Sequence, residues 1–208
     1  MVSLETALNP KLFEQSFAQK IATELFDFSK PGGLMIPNAI MNLDQILSQV
    51  ENFPAWSEMY QSGTEYSFRP FPDQSDLPSE AKALQQSYSD FYQLLSPFAK
   101  FKGGKINSVD FLMYNQGNTM PAHFDSFQCW NLVGIFTLAG SADFQILENE
   151  EIVYDVNPPP GSLVLLRAHR KEKEFDKRPM HRVVNVTEKR YAITMRYNTF
   201  RESREIKH

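Results

Sequence analysis

Residues 130–167 read WNLVGIFTLAGSADFQILENEEIVYDVNPPPGSLVLLR, and this stretch says more about the architecture than any other part of the chain. Short runs rich in Val, Ile, Leu and aromatic residues alternate with turn signals, namely Ala139-Gly140-Ser141 and Asn157-Pro158-Pro159-Pro160-Gly161. Such runs, bounded by Gly, Pro, Asn and Ser, are typical of strands. The stretch therefore predicts successive strands at 130–138, 143–147, 151–156 and 162–167.

Short runs of the same kind flank this stretch on both sides. SVDFLMY at 108–114, HRVVNV at 181–186 and RYAITMRY at 190–197 predict further strands. Many short strands at even spacing favour a β-sandwich, jelly roll or barrel. We therefore expect an α+β, mainly β fold: a double-stranded β-helix of the jelly-roll, cupin-like kind, with supporting helices at its N-terminal side.

The first half of the chain supplies those helices. Apolar residues recur at helical spacing in 11–28, 43–53 and 78–101, and a short strand is predicted at 32–40. Residues 57–76 are rich in Ser, Pro, Gly and Asp without a clear period, which predicts a long irregular loop. We expect a single domain in which residues 1–104 pack on a β core at 105–200, with 201–208 as a tail.

The composition narrows the class of protein. The chain has 208 residues, 42% of them hydrophobic and 22% charged, as in ordinary globular proteins. A net charge of −4 gives no long-range attraction to nucleic acid or anionic membranes. The single cysteine, Cys129, excludes an intramolecular disulfide and suits a reducing compartment. Without a signal-peptide pattern or a membrane-length apolar run, the expectation is a cytoplasmic protein with no membrane partner.

A candidate metal site begins at His123-Phe124-Asp125. On an extended segment, residues two apart point to the same side, so His123 and Asp125 can converge while Phe124 faces away. An imidazole nitrogen and a carboxylate would then supply two neighbouring ligands. The alternative is a pair at a strand end in which the aspartate only orients the histidine.

A third ligand is expected from His181, which opens the strand HRVVNV. Two histidines and one carboxylate form the facial set that suits non-haem Fe(II) oxygenases. The spacing alone does not separate an oxygenase from a hydrolytic metal site, and His181 could also be an ordinary half-buried histidine. The competing candidate, His169, lies in the charged stretch 167–178, which predicts a solvated loop.

The arginines of RYAITMRY favour the oxygenase. Arg190 and Arg196 share one face of the predicted strand with Ala192 and Thr194. An arginine facing the interior costs several kcal/mol unless an anion pairs with it, and a dicarboxylate co-substrate would supply that anion. In the alternative, the arginines face outward and the set Tyr191, Ile193 and Met195 is the buried one.

The motifs together resemble the 2-oxoglutarate/Fe(II)-dependent dioxygenase superfamily over residues 108–200. They are Tyr114-x-x-Gly117, His123-x-Asp125, Pro160-Gly161-Ser162-Leu163-Val164-Leu165, His181-x-Val183-x-x-Val186 and Arg190-Tyr191-Ala192-Ile193-Thr194. The resemblance implies that His123, Asp125 and His181 bind Fe(II). It implies that Arg190 binds the distal carboxylate of 2-oxoglutarate beside Tyr114, and that O2 is the oxidant. Oxidation of the substrate would be coupled to decarboxylation of 2-oxoglutarate to succinate and CO2.

Within that superfamily, the pair Arg190-x5-Arg196 resembles AlkB-type nucleic-acid demethylases, where both arginines contact the co-substrate. The chain departs from that pattern at Leu112, Ala192 and Phe127. We therefore expect hydroxylation or oxidative demethylation of a small molecule or peptide. The alternatives are an AlkB-type nucleic-acid dealkylase and a non-catalytic β-helix that only binds a ligand.

Two further residue sets bear on the substrate. Aromatic residues that could line its pocket, with core packing as the alternative, are Phe127, Trp130, Tyr60, Tyr66 and Phe68. Basic residues that could contact phosphate, with a solvated loop as the alternative, are Arg167, Arg170, Lys171 and Lys173.

Overall fold

The computed structural model describes residues 6–53, 57–61, 64–71, 76–101, 104–169 and 178–199, with the backbone alone in 57–61 and 64–70. Its α-helices are α1 (Gln15–Leu25), α2 (Leu43–Glu51) and α3 (Ser79–Ala99). Its strands are β1 (Gly33–Ile36), β2 (Ser57–Gln61), β3 (Thr64–Pro70), β4 (Ser108–Tyr114), β5 (Met120–His123), β6 (Cys129–Ala139), β7 (Asp143–Glu148), β8 (Glu151–Val156), β9 (Leu163–Arg167), β10 (Met180–Val184) and β11 (Arg190–Asn198).

The strands form two antiparallel sheets. The major sheet has the order β1-β9-β6-β11-β4-β3-β2, and the minor sheet has the order β5-β10-β7-β8. From β4 to β11 the chain passes back and forth between the two sheets. This is the winding of a double-stranded β-helix, so the predicted fold class is confirmed. Among the described strands, the two sheets stack face to face and do not close into a barrel.

The central strands of the major sheet are buried on both faces. In β9 the side chains of Leu163 and Leu165 join a core shared with the helices. Those of Val164 and Leu166 point the other way, into a second core shared with the minor sheet. A strand buried on both faces reads as a continuous apolar run, which explains the sequence SLVLLR.

The helices cover the outer face of the major sheet. Buried side chains of α3, including Leu84, Tyr88 and Phe91, pack in the same core as Phe136 of β6. The helix predicted at 11–28 is divided in two: a 3-10 helix at Pro10–Phe13 precedes α1, because Glu14 has an extended backbone. No helix in the described ranges is both long and apolar enough to span a bilayer.

The expectation of an irregular loop at 57–76 is wrong for most of that segment. β2 and β3 form an antiparallel hairpin, and β3 pairs with β4 at the edge of the major sheet. The backbone hydrogen bonds of this pairing depend on β4, which lies about 40 residues further along the chain. A local pattern of polar and turn-forming residues therefore does not reveal it.

Candidate active site

The two histidines of the predicted metal set lie opposite each other on neighbouring strands of the minor sheet. β5 and β10 are antiparallel, and His181 is the register partner of His123. The ring centroids are 4.3 Å apart. Residues directly opposite on an antiparallel pair present their side chains on the same face of the sheet. Strand register therefore brings together two side chains that are far apart in sequence.

A proline carbonyl orients each of these imidazole rings. The Nδ1 atom of His123 lies 2.9 Å from the carbonyl oxygen of Pro121, and that of His181 lies 3.1 Å from the carbonyl oxygen of Pro179. A carbonyl oxygen only accepts hydrogen bonds, so each Nδ1 carries a proton, and the lone pair of a neutral ring is then on Nε2. This is the tautomer in which Nε2 can bind a metal.

Asp125 lies two residues beyond the end of β5, and its carboxylate is near His181. Its Oδ2 atom is 3.8 Å from Nε2 of His181, and its side chain is mostly buried. In the part of the chain that the structure describes, no three His, Cys, Asp or Glu side chains stand close enough together to hold a metal ion as they are. Coordination by this set would therefore need its side chains to rearrange.

Burial keeps His181 uncharged. Desolvation lowers the pKa of His181 below its usual range, and the neighbouring His123 lowers it further, while the carboxylate of Asp125 raises it. The net direction is downward, so the imidazole is neutral near pH 7. A neutral imidazole is the form that donates a lone pair to a metal.

These side chains line one wall of a cavity between the two sheets, with a volume of about 250 Å³. On the minor sheet the wall includes His123, His181 and Phe144, with Asp125 beside them. On the major sheet the wall includes Tyr114, Arg190, Thr194 and Arg196. All six residues predicted to form the site therefore face one cavity.

Arg190 is buried in this cavity without a carboxylate partner among the described residues. It is 1% exposed, and its Nη2 atom donates a hydrogen bond to the Thr137 hydroxyl at 3.2 Å. Its buried Nε atom has no hydrogen-bond partner in the described part of the chain. Burial lowers the pKa of Arg190, while the nearby Tyr114 raises it; the guanidinium carbon is 5.4 Å from the Tyr114 ring centroid.

Arg196 has a different environment, although it lines the same cavity. Its Nη1 atom donates to Oδ2 of Asp110 at 2.8 Å, and its Nη2 atom donates to the Thr194 hydroxyl at 2.9 Å. Asp110 is itself 3% exposed, so the two charges form a buried ion pair. The two arginines are thus unequal: a protein carboxylate already neutralises Arg196.

Both faces of β11 are buried, which resolves the two alternatives for its arginines. Arg190 and Thr194 face the cavity, while Tyr191, Ile193 and Met195 pack in the core beneath the helices. Burial of one set therefore does not require exposure of the other, because a central strand is covered on both sides.

Sequence reasoning missed several residues around the site. Asp110 and Thr137 bind the two arginines, and the carbonyls of Pro121 and Pro179 orient the histidines. The repeated pattern Pro-x-His, at 121–123 and 179–181, is a signal that could have indicated the two oriented imidazoles.

The remaining candidates lie elsewhere. The ring of His169 contacts the ring of Phe127, which is 58% exposed, at a centroid distance of 5.2 Å. Trp130 packs against Tyr197 on the helix side of the major sheet, so it does not line the cavity. The side chains of Tyr60, Tyr66 and Phe68, and residues Arg170, Lys171 and Lys173, lie outside the described residues.

Comparison of the sequence with protein-family models and with curated proteins finds no match. The fold is similar to that of a Pseudomonas putida prolyl-4-hydroxylase, at 12% identity and a TM-score of 0.66 over 86% of this chain and 99% of that one. A Trichoplax adhaerens prolyl hydroxylase, solved with a hypoxia-inducible factor peptide fragment, is 16% identical with a TM-score of 0.63, over 93% of this chain and 96% of that one. A 2OG-Fe(II) oxygenase family oxidoreductase from Burkholderia pseudomallei is 12% identical with a TM-score of 0.61, over 89% of this chain and 90% of that one. The chain therefore shares its fold with enzymes of the 2OG-Fe(II) oxygenase family.

Proposed function

We propose that this protein is an Fe(II)- and 2-oxoglutarate-dependent dioxygenase that hydroxylates a small molecule or peptide. The observation that carries the proposal is Arg190, a buried guanidinium that has no carboxylate partner in the described structure and shares a cavity with His123, Asp125 and His181. A buried, unpaired cation costs several kcal/mol, so a site that keeps one is built for an anion that arrives from outside.

The donor atoms fit Fe(II). His123 and His181 would each offer Nε2, since their Nδ1 atoms donate to proline carbonyls, and Asp125 would offer a carboxylate oxygen. Two imidazoles and one carboxylate leave coordination positions open for other ligands. When bound, the metal would supply O2 activation, coupled to conversion of 2-oxoglutarate to succinate and CO2.

The protein's own contribution is binding and orientation. Arg190 would pair with the distal carboxylate of 2-oxoglutarate, with the neighbouring Tyr114 as a hydrogen-bonding companion. Arg196 faces the same space and, already paired with Asp110, would contribute less to binding the co-substrate. The apolar walls formed by Leu112, Val133 and other side chains would exclude water from the reacting groups.

A peptide or small-molecule substrate is the best supported class. One structural neighbour was solved with a peptide bound, and this chain has a net charge of −4. The rival proposal is a β-helix that binds a ligand without turning it over. Nothing in the described structure favours a nucleic-acid substrate over these.

The test is succinate release by purified protein supplied with Fe(II), O2 and 2-oxoglutarate, against a panel of amino acids, peptides and methylated oligonucleotides. We expect succinate formation that depends on all three additions and rises with one substrate class. Binding of 2-oxoglutarate with no succinate from any panel member, at saturating Fe(II), would instead favour the binding module.

The metal set is tested directly by calorimetry with Mn(II) under anaerobic conditions. His181→Ala should abolish binding at one site per chain, because it removes a neutral nitrogen donor. His169→Ala is the matched control and should bind like wild type, since its ring contacts Phe127 rather than lining the cavity. Equal loss in both variants would remove His181 from the set.

A further inference from the structure

We infer that Arg178 is a positioning residue that holds the His123–Asp125 segment against the strand carrying His181. The inference rests on the proposed function, because it concerns the residues proposed to bind the metal. Arg178 lies at the end of the charged stretch 167–178, for which the sequence predicts only a solvated loop.

Arg178 contacts the segment in two ways. Its Nη1 atom donates a hydrogen bond to the backbone carbonyl of Asp125. Its guanidinium carbon lies 3.6 Å from the ring centroid of Phe127 and 5.4 Å from that of Phe124. A planar guanidinium stacks on an aromatic face while its N–H groups donate at the edge, so both contacts can be made at once.

These contacts tie together chain segments that are far apart in sequence. Arg178 directly precedes Pro179, whose carbonyl orients the imidazole of His181. The segment Arg178-Pro179 therefore contacts two proposed metal ligands. The Pro179 carbonyl orients the imidazole of His181, and the Arg178 guanidinium holds the backbone of Asp125. Asp125 lies just beyond the end of β5, where sheet pairing no longer restrains it. Arg178 supplies the missing restraint.

The rings that stack on Arg178 are partly exposed, and the Phe127 ring also contacts the ring of His169. Phe124 is 45% and Phe127 is 58% exposed, and large aromatic side chains at that exposure are not held by a core. Stacking on Arg178 gives them, and the turn that carries Asp125 between them, a defined position.

The direction in which metal affinity changes when Arg178 is replaced distinguishes a positioning role from a purely electrostatic one. Arg178 is a cation beside a proposed cation site, so removing its charge should, by Coulomb's law alone, tighten metal binding. Loss of a residue that orients a ligand should instead weaken metal binding about 10- to 100-fold. Weaker metal binding by the Arg178→Met variant is therefore explained by lost positioning and not by the lost charge.

The experiment measures Mn(II) affinity by calorimetry and the visible ligand-field spectrum of the Co(II)-loaded protein, for wild type and four variants. Arg178→Met should bind Mn(II) about tenfold or more weakly and show an altered Co(II) spectrum. Arg178→Lys should recover only part of the affinity, because an ammonium lacks the stacked, planar fork. Phe127→Ala, which removes only the stacking surface, should weaken binding less than Arg178→Met does.

Arg182→Met is the matched control, since Arg182 lies on β10 and donates to Gln145 at 2.8 Å, away from the cavity. Its affinity should equal that of wild type. Unchanged or tighter Mn(II) binding in Arg178→Met, with wild type binding normally, overturns this inference alone. Absence of Mn(II) binding in wild type overturns the proposed function and this inference together. If Arg178→Met fails to fold, wild-type affinity and spectrum in Phe127→Ala overturn the inference.

Discussion

At the scale of single residues, Arg190 and Arg196 have the same chemistry and face the same cavity, but they differ in whether a protein carboxylate neutralises their charge. Six residues of extended strand place them roughly 20 Å apart along β11. Arg196 is neutralised by Asp110, whereas Arg190 has no carboxylate partner among the described residues. We therefore expect that removing the charge of Arg190 weakens 2-oxoglutarate binding, whereas removing the charge of Arg196 lowers the stability of the fold.

Arg190→Met should raise the dissociation constant for 2-oxoglutarate at least tenfold, because each charged hydrogen bond to a carboxylate contributes about 1.5–3 kcal/mol. It should not lower the free energy of unfolding of the ligand-free protein, since the lost charge has no protein carboxylate partner in the described structure. The measurements are calorimetry with Mn(II)-loaded protein and urea denaturation. Unchanged 2-oxoglutarate binding would contradict the co-substrate assignment.

Arg196→Met is the control for that prediction and should behave in the reverse way. It leaves the buried carboxylate of Asp110 without its cation, which should lower the free energy of unfolding by about 3 kcal/mol. Its effect on 2-oxoglutarate binding should be much smaller than that of Arg190→Met.

At the scale of elements, the contact between α3 and the major sheet depends on one glycine. A Cβ atom at Gly134 of β6 would lie 2.6 Å from Cζ of Tyr88, whose ring is fully buried and packs edge-on against Phe136. The helix lies this close to the sheet because β6 lacks a side chain at that point.

Gly134→Ala should therefore lower the free energy of unfolding by roughly 1–3 kcal/mol, the usual cost of overpacking a core. Tyr88→Phe should leave stability unchanged or raise it, because the buried hydroxyl has no hydrogen-bond partner in the described residues. Urea denaturation measures both. A stabilised Gly134→Ala, or a Tyr88→Phe that loses more than about 1 kcal/mol, would contradict this packing.

At the scale of the whole molecule, charge bears on the substrate class. The net charge of −4 provides no general attraction for a polyanion, so nucleic-acid binding would need a local basic cluster. Arg167, one member of the cluster proposed from sequence, is 5% exposed and donates to the carbonyls of Leu25, Asp27 and Lys30. It holds the end of α1 and its following turn and is not available for phosphate.

We therefore expect weak binding to single-stranded DNA or RNA at physiological salt. Fluorescence anisotropy with labelled oligonucleotides across a salt series measures this. Tight binding whose logarithm falls steeply with log salt, at about −0.7 per phosphate contact, would contradict a small-molecule or peptide substrate. Charge reversal at Lys171 and Lys173 would then show whether those side chains make the contacts.

Local patterns in the chain were enough to predict most strands. Each strand from β4 onward, apart from β5, was predicted within about two residues, because apolar runs between Gly, Pro and Asn turns report burial directly. The six candidate site residues all face one cavity. Alternation along a strand indicated that Arg190 and Arg196 share one face of β11, whereas Tyr114 came only from the family resemblance.

Contacts between distant segments were decided by tertiary structure alone. The pairing of β3 with β4, the Asp110–Arg196 pair and the Arg178 contact with Asp125 each join segments whose own residues carry no sign of the partner. A periodic pattern reports which side of an element is buried, but not what covers it. An interior arginine is neutralised only if the surface packed against it carries a carboxylate, as Asp110 does for Arg196. Which surface packs against it is decided by the tertiary structure.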